Sequence, residues 1–178
     1  MTNSRKIYVA GHRGLVGSAI TRAIEAKGQD SWIGASSSEL DLCNRDAVFQ
    51  YVGSEKPDAL IIAAAKVGGI VANATYPVEF LSENLQIQTN LMDAAHKFDI
   101  SKLVFLGSSC IYPKFAVQPI SEDSLLTGPL EETNEAYAIA KISGVKLVQA
   151  YRNEYGHSWT SVMPTNLYGP GDNFDLQT

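Results

Sequence analysis

Cysteine is scarce. Only Cys43 and Cys110 stand in 178 residues, with no C-x-x-C pair and no Cys/His cluster. A disulfide framework and a structural zinc site are thereby excluded, and no metal is expected. Long apolar runs are missing as well. The longest near the middle, Ala59 to Ala65, stops at Lys66, far short of the roughly 20 residues that cross a bilayer. The opening "MTNSRKIYVAGHRG" reaches glycine before a signal-peptide apolar region can form. A reducing cytoplasm and no membrane partner are the expectation. No Lys/Arg block occurs and the net charge is −5, which argues against a nucleic-acid or anionic-membrane surface. Internal repeats and low-complexity tracts are also lacking.

What is present is ordinary for one soluble domain: 45% hydrophobic and 19% charged residues, enough to bury a core. Five short runs read as buried strands: Lys6–Ala10, Ser31–Ala35, Ala59–Ala64, Leu103–Leu106 and Thr160–Met163. Between them the apolar spacing predicts helices over Leu15–Lys27, Asp46–Gly53, Tyr76–Phe98 and Asn134–Tyr155, the last with Asn134 as N-cap and Gly156 as C-terminal glycine. Strand and helix alternating at this spacing predict an α/β fold with a doubly wound parallel sheet, in the order 3-2-1-4-5. Residues 1–178 read as one domain. The irregular stretch Ile111–Thr133, with Pro113, Pro119, Gly128 and Pro129, is long for a loop in a compact domain, and such loops are often functional.

The first strand runs into Gly11-His12-Arg13-Gly14-Leu15-Val16-Gly17, and a helix follows. This is G-x-x-G-x-x-G between a first strand and a first helix, the context of a dinucleotide fingerprint. Glycines let the backbone turn and approach a pyrophosphate, and the helix N-terminus offers free N–H groups. NAD enzymes usually carry an acid at the end of the second strand, bonded to the ribose 2′-hydroxyl. Here that place reads Ala35-Ser36-Ser37-Ser38, and the first acid is Glu39. Arg13 and the serine hydroxyls suit a 2′-phosphate instead. The expected cofactor is NADP.

Two further clusters carry chemistry. Tyr137 and Lys141 lie four apart on a predicted helix and share a face. A lysine beside a phenol lowers its pKa and lets it exchange a proton with a carbonyl near neutral pH. Gly107-Ser108-Ser109-Cys110-Ile111-Tyr112-Pro113 sits at the carboxyl end of a strand, where ligands bind in open α/β sheets. By residue type alone Cys110 reads either as a buried structural thiol or as a catalytic group.

Gly11–Gly17, Ser108, Tyr137 and Lys141 together resemble the extended short-chain dehydrogenase/reductases. "AGHRGLVGSAI", "AAAKVGGIVAN", "LGSSCIYPK", "EAYAIAK" and "VMPTNLYGPGDNF" are similar to the branch of NADP-dependent epimerase–reductases that act on GDP-4-keto-6-deoxy-D-mannose. The resemblance runs from Lys6 to Phe174. It implies a reaction that inverts two carbons flanking a ketone and then reduces the ketone to give GDP-L-fucose. It implies Cys110 as an epimerisation acid/base, with a positive environment lowering its pKa, Ser108 orienting the keto oxygen, and Tyr137 protonating it. Lys141 would also hold the nicotinamide ribose. Ser37, Ser38, Asp41 and Leu42 would flank the adenosine end, with Leu106, Gly107, Ser108, Ser109, Pro164, Thr165, Asn166 and Leu167 on the nicotinamide side.

The resemblance further implies a homodimer through the long helices, a second epimerisation group that is a histidine beyond "GPGDNF", and a C-terminal GDP-sugar-binding part. His12, His96 and His157 do not match that histidine. The 178 residues therefore correspond to the cofactor half, incomplete relative to the family. Two other readings remain at this point: a related nucleotide-sugar epimerase or dehydratase using NAD, and a non-catalytic dinucleotide-binding fragment.

Overall fold

A computed structural model describes residues 4–172. Five parallel strands form one sheet: β1 Lys6–Ala10, β2 Ser31–Ile33, β3 Ala59–Ile62, β4 Lys102–Leu106 and β5 Thr160–Val162. The helices are α1 Leu15–Lys27, α2 Arg45–Glu55, α3 Ile70–Thr75, α4 Pro77–Lys97 and α5 Glu135–Tyr155. The α/β class and the five strands match the sequence reading. Helix α3 was not anticipated. It is six residues long, too short for a periodic apolar stripe to declare it. Among the described residues no helix is long and apolar enough to cross a membrane, and no cluster of potential metal ligands occurs.

The strand order is 2-1-3-4-5, not 3-2-1-4-5. The third strand pairs with the far side of the first, Ile7–Ala10 against Ala59–Ile62. Burial explains the choice. β2 is three residues long, none of them buried, and suits an edge. In β3, Leu60 and Ile62 have no exposure at all, and an interior place between β1 and β4 satisfies them. The order therefore reverses at β1/β3, and the crevice outside the strand ends at such a switch point is where ligands bind.

Apolar side chains from the strands meet Leu91, Met92, Val145 and Val148 of the long helices in one core. α4 packs along α5 and also against α2. Trp159, fully buried, donates its indole N–H to the Ile100 carbonyl at 3.0 Å and ties the start of β5 to that of β4. His96 and His157 meet here, Nδ1 to Nε2 at 2.9 Å, with His157 stacked on Trp159. Both are packing histidines at the opposite end of the sheet from the glycine loop. Gly156 ends α5 with φ +72, as expected. Asn134 occupies the N-cap position of α5 but its side chain makes no capping bond.

Candidate active site

β1 delivers the chain into the glycine loop, and the loop's geometry leaves no room for side chains. Gly11 has φ +85, and a Cβ there would lie 2.6 Å from the Ala64 nitrogen. A Cβ on Gly17 would overlap the Gly11 carbonyl. These two glycines are demanded by the fold itself, since the first turn of α1 sits directly against the end of β1. Gly14 differs. Its nearest own-chain atom would be 3.5 Å from an added Cβ, an ordinary contact, and Gly14 lines an open cleft of about 590 Å³. Among the described residues nothing requires glycine there.

The same cleft is lined by Leu15, Val16 and Gly17 from α1, Ala63–Ala65 after β3, and Ser37, Asp41 and Leu42 after β2. Its volume suits a cofactor. His12, Arg13 and Ser38 are not among the lining residues. The His12 ring packs 5.5 Å from Trp32, centroid to centroid, and its Nδ1 is buried without a partner among the described residues. Arg13 is exposed and makes no hydrogen bond or ion pair among them. Ser36 and Ser38 share a hydroxyl bond of 2.9 Å. Glu39, the acid nearest the end of β2, folds back to accept from the Ser36 backbone at 2.8 Å and hydroxyl at 2.7 Å. These two bonds hold its carboxyl below the usual range.

At the β4 end, the Gly107 N–H donates to the Val162 carbonyl at 2.8 Å, and the Ser109 N–H to Pro164 at 3.0 Å. Those two bonds fix the GSSC turn against the segment after β5. Ser108 caps the turn by accepting from the Cys110 N–H at 3.4 Å. Thr165, Asn166 and Leu167 are exposed and line neither cavity described here. Asn173 and Phe174 of the final motif lie outside the described residues.

Tyr137 and Lys141 do share a face of α5. The Lys141 Nζ lies 5.6 Å from the Tyr137 ring centroid and 4.9 Å from that of Phe105. Its electrostatics correct the sequence reading. Lys141 is only 3% exposed and donates to the Leu106 carbonyl at 2.7 Å, not to the phenol. Burial pushes its pKa down to about 8, against an opposing pull from Cys110. Burial likewise pushes the Tyr137 hydroxyl up, with Cys110 adding to the rise. Cys110 is also raised by burial, which outweighs the lowering effects of Ser108, Lys141 and its own backbone amide. Desolvation is the largest cause at both acids, and at Cys110 it outweighs the pull of the Lys141 ammonium.

Several lining residues were not anticipated. Lys66 lines the cleft with Glu83 and Cys43; its ammonium pairs with Glu79 at 3.0 Å and Glu83 at 3.7 Å. Buried Asn84 holds the Lys66 backbone from both sides, accepting from its N–H at 2.9 Å and donating to its carbonyl at 3.0 Å. An asparagine on the apolar face of α4 was the available signal. Beside the cleft, a second cavity of about 190 Å³ is lined by Val67, Gly68, Asn73, Phe80 and Tyr137. Val67 borders both, so the phenol stands next to the end of the cleft.

Known proteins resemble this chain in sequence and in fold. GDP-L-fucose synthase of Escherichia coli (strain K12) is 54% identical over 172 residues, covering 97% of this chain and 54% of that protein. GDP-L-fucose synthase 1 of Arabidopsis thaliana is 58% identical over 171 residues, covering 96% and 53%. A crystal structure of a GDP-L-fucose synthetase from Naegleria fowleri bound to NADP superposes with TM-score 0.89 at 33% identity, covering 99% of this chain and 58% of that one. The chain spans about half the length of the curated relatives it matches. Residues 7–177 match the NAD dependent epimerase/dehydratase family, and the chain belongs to it.

Proposed function

We propose that this chain is the cofactor-binding half of an NADPH-dependent epimerase–reductase that converts GDP-4-keto-6-deoxy-D-mannose to GDP-L-fucose in the cytoplasm, acting as a homodimer. The observation that carries the reading is the packing of the turn Ser109–Ile111, with its thiol at Cys110, against α5, the helix of Tyr137 and Lys141. Ketone reduction alone needs a proton donor and no thiol. Inversion of carbons beside the ketone needs a further base, and Cys110 is the one at hand. The relatives' names agree with this chemistry.

The residues present fit NADP. Gly11, Gly14 and Leu15–Gly17 would hold the pyrophosphate at the α1 N-terminus, where the first-turn N–H groups have no intrahelical acceptor. Arg13, Ser37 and Ser38 would meet the 2′-phosphate, and Asp41 and Leu42 the adenine. Glu39 is already engaged by Ser36, which disfavours the NAD-type bond to a ribose hydroxyl. Leu106–Ser109 and Pro164–Leu167 would border the nicotinamide, with Lys141 at its ribose. When bound, NADPH supplies the hydride.

The chain's own groups do part of the proton work. Cys110 serves one face of the carbon alpha to the ketone, as thiolate taking a proton or as thiol giving one, and the second group expected beyond "GPGDNF" would serve the opposite face, so that the centre inverts. Ser108 accepts from the Cys110 amide and bonds the Cys110 side chain through its hydroxyl, which would turn to the keto oxygen when the sugar is bound. Tyr137 donates its proton to that oxygen during reduction. The Lys141 ammonium, mostly protonated at pH 7 with a pKa of about 8, stabilises the phenolate that results.

The test separates the two steps. Tyr137→Phe should lower keto-sugar-dependent NADPH oxidation by about 10²–10⁴-fold while NADPH still binds. Cys110→Ser should stop deuterium uptake from D₂O at the carbons beside the ketone and spare reduction. Undiminished uptake in Cys110→Ser would remove the thiol from the mechanism.

A further inference from the structure

Asn73 lies on α3 and is 8% exposed. Its Nδ2 donates to the Gly68 carbonyl at 2.9 Å and to the Gly69 carbonyl at 3.0 Å. Two carbonyls on one nitrogen settle the orientation of the amide and use both of its hydrogens. The Oδ1 is therefore a fixed acceptor. It is buried and has no donor among the described residues, a costly state for an amide oxygen. Asn73 lines the 190 Å³ cavity with Val67, Gly68, Phe80 and Tyr137. Its other lining residues are apolar, so Asn73 and Tyr137 supply the polar side chains of its wall. Beside α3 packs the turn Glu132–Asn134, whose Asn134 Oδ1 is likewise buried without a donor.

We propose that Asn73 is a sugar-specificity residue, its Oδ1 accepting a hydrogen bond from the hydroxyl on the ring carbon next to the ketone that Tyr137 serves. This rests on the role given to Tyr137 above. In a 4-keto-6-deoxy sugar that hydroxyl is on C3, because the carbon on the other side of the ketone carries the methyl group. The cavity has room for part of one ring and not for a nucleotide. An ammonium donor is disfavoured because Lys141, itself buried, supplies the local positive charge. A fixed acceptor with no donor of its own selects a hydroxyl and rejects a hydrogen or an ether oxygen at that position, since either leaves Oδ1 unpaired.

The test is calorimetric binding of GDP-4-keto-6-deoxy-D-mannose and of its 3-deoxy analogue in the presence of NADP⁺. It compares the wild-type protein with Asn73→Ala, and NADPH affinity is measured on each. Wild type should bind the analogue about tenfold or more weakly, and Asn73→Ala should bind both sugars alike with NADPH affinity retained. Should Asn73→Ala fail to fold, Asn73→Ser retains a hydroxyl near the Gly68–Gly69 carbonyls and should also narrow the discrimination. Equal binding of the two sugars by wild type, or unchanged discrimination in the variants, overturns the proposal. So does a parallel loss of NADPH affinity, which would make Asn73 only a support for the loop. Absence of any sugar binding overturns it too. Sugar binding with discrimination but no NADPH oxidation counts against the reaction proposed above and leaves the role of Asn73 standing.

Discussion

The two sides of the strand ends solve opposite problems. At β1 and β3 the site is made by leaving side chains out: Gly11 abuts Ala63 and Ala64, and Gly17 abuts the Gly11 carbonyl. At β4 and α5 it is made by burying side chains that resist burial: a lysine at 3% exposure, a phenol and a thiol, all displaced from their ordinary pKa by desolvation. On the proposed reading the first side holds a ligand through backbone at little cost to the fold, and the second uses its electrostatic cost for proton transfer. Substitutions at Gly11 and Gly17 should therefore affect stability and function together, and those on the second side should affect them in opposite directions.

The largest effect is expected at Gly17. Gly17→Val places atoms on the Gly11 backbone, which cannot yield without moving β1, so NADPH binding should vanish and Tm fall, read by fluorescence titration and thermal melts. Gly14→Ala sharpens the contrast. Tm should hold to within a few degrees, because the added Cβ meets only an ordinary contact, while NADPH affinity drops about 100-fold from lost approach. Retained affinity would show that the pyrophosphate does not pass over Gly14.

Lys141→Met probes the other side. A pKa lowered from 10.5 to about 8 corresponds to about 3 kcal/mol of charge burial. The lost bond to the Leu106 carbonyl returns about 1–2 kcal/mol of that. The variant should be more stable by about 1–2 kcal/mol at pH 7 and unable to reduce the keto sugar. Its pH profile checks the cause. The folded protein releases this proton near pH 8 and the unfolded chain near 10.5, so between those values the unfolded state holds more protons and stability rises with pH. The rise ends near pH 9, where Cys43 and Cys110 begin to keep protons in the folded state that the unfolded chain loses, joined near pH 10 by Tyr8, Tyr137 and Tyr151. In urea melts Lys141→Met should lack the rise. The smallest effect is expected at exposed Arg13, where Arg13→Ala should reduce the preference for NADPH over NADH by about three- to tenfold.

Much of this was legible in the chain. Helix α1 was read to the residue, because the glycine loop before it and Gly28 after it are local signals. Tyr137 and Lys141 share a face because their spacing is helical. What was misread depends on neighbours distant in sequence. The placement of β3 inside rather than outside β2 follows from which strand gains more by two-sided burial. The pKa directions of Tyr137 and Cys110 invert because packing buries the phenol and the thiol themselves, while the Lys141 ammonium turns to the Leu106 carbonyl, more than thirty positions away in sequence.

The sequence by itself thus determined the elements, the glycine loop and the residue types of the site, since these rest on spacing along the chain and on backbone sterics. Tertiary structure alone decided the switch point between β1 and β3, the desolvation that tunes the acid–base groups, and the meeting of Asn73 with Tyr137. Burial and unpaired polar atoms are properties of a packed environment, and no stretch of the chain carries them until it folds.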